Sequence, residues 1–438
     1  MRITLFIVLF FISKIIFGQD STKIEHTYKK GWNIGALPIV TYNSDLGLHL
    51  GALANLFQYG DGSIYPEYYH SFYAEAGWYS KGSGLYRIFY DSKYLIYNTR
   101  LTIDILYNPD NSLNFFGFNG YNAVYNKKWI TPESSEYKTK VFYKHRRDVF
   151  RAIINFQKEI NVKNIYLSAG INILDIKTAP FNVKHYNQLH KPENELPDVE
   201  TLYDKYIKWG IISEKEKNGG FFLNFKIGMI YDSRNNTANA TKGIWSEGVV
   251  FQSFNKGFVF TKLAITHRQY FTLIRDKLSL VYRLSYQHTV RDKAPFSMLP
   301  YMVNSFSNSE IFDGLGGSTT IRGVMRNRIV GAAVGYGNIE LRWIFSDFRV
   351  FEQNFYLAFS PFIDFGQVIL NHKFDISPVP DNQRPLYFKE GHDRLHMSYG
   401  SGLHIAMNHN FILTFDAGFP INKQDGDMGF YMGLNYIF

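Results

Sequence analysis

The chain holds 438 residues and no cysteine, which excludes disulfides, thiolate metal sites and cysteine nucleophiles. Its net charge of +9 is spread along the length and never concentrates into the basic patch that nucleic-acid binding needs, so no nucleic-acid partner is expected. Aromatic residues make up 18% of the chain, with 32 Tyr and 39 Phe, at a mean hydropathy of -0.20. That profile belongs to an outer-membrane β-barrel, which crosses the bilayer with strands and builds its interfacial girdles from aromatic rings.

MRITLFIVLFFISKIIFGQ reads as a secretory signal peptide over 1–19, with Arg2 at its basic start and Lys14 interrupting an apolar run too short for a transmembrane helix. Residues 20–30, within QDSTKIEHTYKK, form a short periplasmic segment too small and too charged to fold alone. The mature chain then reads as one domain over 31–438. Lipid-facing apolar residues should alternate along each strand with lumen-facing polar or small ones.

GFFLNFKIGMIYD alternates Phe221, Leu223, Phe225, Ile227, Met229 and Tyr231 with Asn224, Lys226, Gly228 and Asp232. YGNIELRWIF sets Ile339, Leu341, Trp343 and Phe345 against Asn338, Glu340 and Arg342, and FYLAFSPFIDFG sets Phe355, Leu357, Phe359, Ile363 and Phe365 against Ser360, Asp364 and Gly366. NFILTFDAGFP turns Ile412, Thr414 and Asp416 inward. The closing segment places Phe430, Met432, Leu434, Tyr436 and Phe438 on one face, ending on an aromatic residue as in the recognition signal of outer-membrane proteins. Counting such segments predicts an all-β fold, a transmembrane antiparallel β-barrel of sixteen strands. The polar connection 180–218 carries helical spacing at Leu202, Tyr206 and Ile207 and is read as an extracellular loop with a short helix. DGDMG at 425–429 lacks the ligand positions of a calcium loop and reads as a turn.

GGSTTIRGVMRNRIVG, residues 316–331, brings three arginines into a glycine-bracketed stretch without helical period. Through Ile321, Arg322 and Gly323 it resembles the BamA/TamA-like bacterial surface antigen family, whose hallmark is an Arg-Gly loop folded into the lumen. The resemblance extends to ALPIVTYNSDLGLHLGALANLF at 36–57, FFGFNGYN at 115–122 and IYDSRNNTANATKGIW at 230–245, with YGNIELRW and FIDFG following in order. Val324 stands where the family usually has an aromatic residue, and Asn235 where it has an acidic one. The resemblance implies that a strand glutamate and the aspartate of Phe-x-Asp-x-Gly receive the loop arginine, here Arg322 with Glu340 and Asp364. A planar guanidinium suits two parallel bonds to a carboxylate, and Gly316, Gly317 and Gly323 permit a tight path. Arg326 and Arg328 stay open between lumen contacts and an exposed loop touching lipopolysaccharide.

The family inserts or translocates proteins at outer membranes, so the resemblance implies assistance to protein insertion or passage, with client outer-membrane or exported proteins as partners. The chain reads as a member lacking POTRA domains, whose place a periplasmic or lipoprotein partner would take; outer-membrane lipids and lipopolysaccharide surround it. The alternatives are a passive channel or a structural scaffold. No G-x-S-x-G or H-E-x-x-H element occurs and the thirteen histidines show no site-like spacing, so no enzyme, cofactor or metal is expected.

Overall fold

The two-residue alternation resolves into sixteen antiparallel strands in the computed structural model, which describes residues 29–65, 67–237, 239–291, 294–305, 312–350, 353–407 and 411–438. The expected signal peptide, and the expected periplasmic segment up to residue 28, lie outside the described residues. The strands are β1 (Trp32–Asn43), β2 (Gly47–Gln58), β3 (His70–Tyr79), β4 (Gly84–Ile96), β5 (Thr99–Asn114), β6 (Lys144–Glu159), β7 (Ile165–Pro180) and β8 (Gly219–Asp232). They continue with β9 (Gly243–Phe254), β10 (Val259–Ile274), β11 (Leu278–Val290), β12 (Ala333–Val350), β13 (Gln353–Leu370), β14 (His396–Met407), β15 (Phe411–Pro420) and β16 (Gly429–Leu434). Each strand pairs with its sequence neighbours, and β1 meets β16 to close the barrel.

Exposure follows parity. Ile227, Ile265, Ile339 and Trp343 stand on the open outer face, whereas Asn224, Lys262, Glu340 and Asp364 are buried on the inner one. Polar residues can turn inward because the inner wall and its loops supply hydrogen-bond partners that lipid lacks.

Antiparallel pairing puts every connection after an odd-numbered strand at one end. These include the long ones, 115–143, 181–218, 291–332 and 371–395, while the opposite end has turns as short as 97–98 and 275–277. Long loops mark the extracellular mouth of such barrels and short turns the periplasmic one. Over that mouth the long connections pool their rings: Phe115, Tyr203, Tyr206, Trp209, Phe296 and Tyr387 share one buried cluster. The predicted helix spans Leu202–Lys208 and is fixed by a capping box between Thr201 and Asp204. A second helix in the same connection, Val183–Leu189, was not evident from sequence; Asn182 caps it through the His185 amide.

The chain terminus departs from its predicted face. Strand β16 ends at Leu434, and Asn435 takes a left-handed conformation at φ +65° while its N–H bonds the Ile412 carbonyl at 2.8 Å. Tyr436 and Phe438 therefore leave the face of Phe430, Met432 and Leu434. The Tyr436 ring lies 3.9 Å from the Arg342 guanidinium, and Phe438 packs with Ala240, Tyr270 and Val281 while its carbonyl accepts from Arg342 at 3.0 Å. Cation–π and hydrogen-bond partners on the inner wall outweigh continued alternation here.

Candidate functional site

The site is built on the second half of the β11–β12 connection. Leu315 and Ile329 bridge in antiparallel fashion, N–H to carbonyl at 2.9 and 3.1 Å, and so pinch the segment into a narrow hairpin-like loop. Leu315, Ile321, Val324 and Ile329 have no exposed surface and pack with Val334, Tyr336 and Val368 of β12 and β13. Gly323 lies at φ +91°, and a Cβ there would stand 2.5 Å from the Gly418 carbonyl carbon. Gly418 in β15 faces the mirror restriction, 2.6 Å from the Arg322 backbone. Two bare backbones thus meet where the loop touches the wall.

That approach aims Arg322 at three strands. Its Nε and Nη2 donate to Asp364 of β13 at 2.8 and 3.0 Å, and its backbone N–H donates to the same carboxylate at 3.0 Å. Nη1 lies 2.8 Å from Glu340 of β12 and 3.3 Å from Asp416 of β15. The guanidinium carbon rests 3.4 Å over the Phe362 ring. Glu340 also accepts from Arg342 at 2.9 Å. The structure therefore brings Arg322, Gly323, Glu340 and Asp364 together. Asp416 was assigned inward by parity, but no spacing in the sequence tied it to Arg322.

Of the other two arginines, Arg328 is buried and Arg326 only partly exposed, so the exposed-loop reading does not hold for them. Arg326 donates to Asp110 and to Asp313, both at 2.6 Å, and Asp313 also accepts from Arg147 at 2.7 Å. Burial pushes the Asp313 carboxyl up, but the Arg326 and Arg147 guanidinium groups outweigh it and hold it well below the usual carboxylate range. Arg328 serves main-chain carbonyls, Gly120 at 2.9 Å, Gln424 at 3.1 Å and Ala123 at 3.2 Å. DGDMG holds more than a turn: Asp425 is fully buried, accepting from Tyr121 at 2.5 Å and lying 2.7 Å from His396 Nδ1. Within the segment 230–245, Arg234 pairs with its neighbour Asp232.

The loop also reaches the seam between the first and last strands. Gly323 N–H donates to the Tyr431 hydroxyl at 3.1 Å, Asn43 donates to Ser318 at 3.2 Å and Arg326 N–H donates to Asp45 at 3.3 Å. The seam itself is slight. Strand β1 pairs with β2 from Trp32 to Asn43, yet with β16 only through Asn43 and Tyr431 among the described residues. Ser44 adds main-chain and hydroxyl bonds to Phe430 at the extracellular end.

A closed sixteen-stranded antiparallel barrel with an apolar outer band and a polar inner wall is an integral protein of the Gram-negative outer membrane. The Omp85 superfamily domain matches residues 86–438, and the chain belongs to that superfamily. Two solved structures share the fold. BamA from Haemophilus ducreyi lacking POTRA domains 1–3 is 15% identical with a TM-score of 0.55, over 93% of this chain and 71% of that one. CdiB from Escherichia coli is 10% identical with a TM-score of 0.54, over 93% of this chain and 63% of that one. No curated protein matches the chain.

Proposed function

We propose that this barrel assists the insertion or passage of proteins at the outer membrane, acting through the β1–β16 seam and not through bond-making chemistry. The observation that carries the reading is the contrast between the single registered seam pair and the full β1–β2 ladder. Strand β1 thereby offers a row of main-chain groups to an incoming strand, the edge pairing that folded proteins ordinarily prevent. Pro38 sits within this edge strand, where a missing N–H is tolerated.

In this reading the Arg322 loop is a tether. It braces β12, β13 and β15 through Glu340, Asp364 and Asp416 and touches both seam strands, so the seam opens against a fixed inner support. Clients are outer-membrane or exported polypeptides, and a periplasmic or lipoprotein partner delivers them. Phe430, Met432 and Leu434 keep the role of a closing-strand signal, set in the lipid of the outer membrane.

The test is photocrosslinking in living cells with probes placed singly at Pro38, Val40, Met432 and Leu434. Capture of nascent barrels or exported chains is the expected outcome. Recovery of lipid alone, together with steady ion conductance, would instead identify a passive channel, and capture of one constant partner a scaffold.

A further inference from the structure

On the lipid-facing side of the first five strands, register sets large outward residues in a row. Ile34, Leu56, Phe72, Tyr90 and Ile103 are successive partners from β1 to β5. Against this row lies a groove of about 520 Å³, walled by Trp32, Phe72, Tyr90, Ile88 and Ile105. Its size falls in the range of small-molecule sites, roughly 300 to 1,000 Å³. The rings of the wall brace one another, with centroids 6.1 Å apart for Trp32 and Phe72 and 4.9 Å for Phe72 and Tyr90, so its shape is set before a ligand arrives.

The groove is graded in polarity through the depth of the bilayer. At the short-turn end stand Trp32 and His70, the first residues of β1 and β3, and the Tyr90 hydroxyl lies 2.8 Å from His70 Nδ1. Deeper, level with Ala74 of β3, the walls are Ile88 and Ile105, which present only carbon and are 58% and 40% exposed. The rim beyond the polar end is cationic. Lys29 and Lys30, which lead into Trp32, are exposed, and no carboxylate lies within 4 Å of either among the described residues. The acids nearby are engaged elsewhere: Glu67 with Lys93 at 3.0 Å and Asp91 with Arg100 at 2.6 Å, while Asp61 feels Lys30 only from further off.

An apolar slot that turns polar toward the periplasm and then meets two ammonium groups follows the order of a phospholipid: acyl chain, ester region, phosphate. A second copy of this chain fits less well, because a two-fold contact between like faces would set the same lysines against each other. We propose that the groove binds one anionic phospholipid of the periplasmic leaflet, its chain against Phe72, Ile88 and Ile105 and its phosphate at Lys29 and Lys30. The site stands independently of the seam function. It places a resident lipid against the outside of β1, the strand whose other edge is left almost unpaired.

The test reconstitutes the full-length barrel in nanodiscs of equal parts phosphatidylglycerol and phosphatidylethanolamine and reads retained lipid by native mass spectrometry. The parent should keep phosphatidylglycerol in preference to phosphatidylethanolamine. Lys29→Gln/Lys30→Gln should cut that preference on the order of tenfold. Ile88→Trp, which fills the groove from a lipid-facing position, should remove the adduct of either lipid. Heat-modifiable mobility reports whether each variant folds; should Ile88→Trp lose it, Ile105→Trp fills the same groove and carries the same expectation. Adducts in the bulk proportion, or a preference that survives the loss of both lysines, would overturn the head-group site. Retention unchanged by the filled groove would overturn the chain site, and barrel dimers in place of lipid adducts would give the face to a second copy.

Discussion

At Arg322 one guanidinium meets three carboxylates on three strands, and Asp364 takes it through the two-bond fork that lysine cannot reproduce. Removing it leaves Glu340, Asp364 and Asp416 facing one another on the wall, so Arg322→Ala should destabilise the barrel by about 3 to 5 kcal/mol. Denaturant unfolding of the purified barrel measures this, and Arg322→Lys should fall between the two because it keeps charge without the fork. A shift under about 1 kcal/mol for Arg322→Ala would remove the tether. Asp313 carries the pH dependence. Its folded value is depressed, so its contribution is complete above the unfolded carboxylate value of about 4 and is lost as pH falls through the folded value. Protease cleavage within 312–332 should thus be unchanged from pH 7 to pH 5 and increase only under stronger acid. Loosening already at pH 6 would contradict the pairing with Arg326 and Arg147.

Among the elements, the seam is where pairing gives out. Asn43 and Tyr431 are register partners, and directly opposed antiparallel residues sit about 4.5 to 5.5 Å apart, within disulfide reach. Since the chain has no cysteine, Asn43→Cys/Tyr431→Cys can form one bond and no other. Oxidation should lock the seam and abolish client capture at Pro38, and reductant should restore it. Capture that persists in the oxidised protein would show that opening at this end is not required. The alternation that defines the elements was readable nearly throughout, because each strand has lipid on one side and polar partners on the other. It misled only at Tyr436 and Phe438, where Arg342 offers a stronger partner than the outer surface and a left-handed Asn435 redirects the chain.

For the whole molecule, an aromatic cluster gathers the long connections, and segments 299–305 and 315–329 both contact inner-wall side chains. Parent protein in a planar bilayer should pass little steady current, and Arg322→Ala should raise it by releasing the inner loop. High conductance in the parent would favour the passive channel. The sequence alone determined the barrel class and the inward parity of Glu340, Asp364 and Asp416, since period-two burial is a local property, while the candidacy of Arg322 came from the family resemblance carried by Ile321, Arg322 and Gly323. Only the tertiary structure decided that Asp416 joins Arg322, that Arg328 is buried and Arg326 paired with Asp110 and Asp313, that Asp425 binds His396 and Tyr121, and that Lys262 and Gln287 contact 299–305. Those contacts join residues from 13 to 304 positions apart, and their pairing depends on strand order, register and loop path, which no local period encodes.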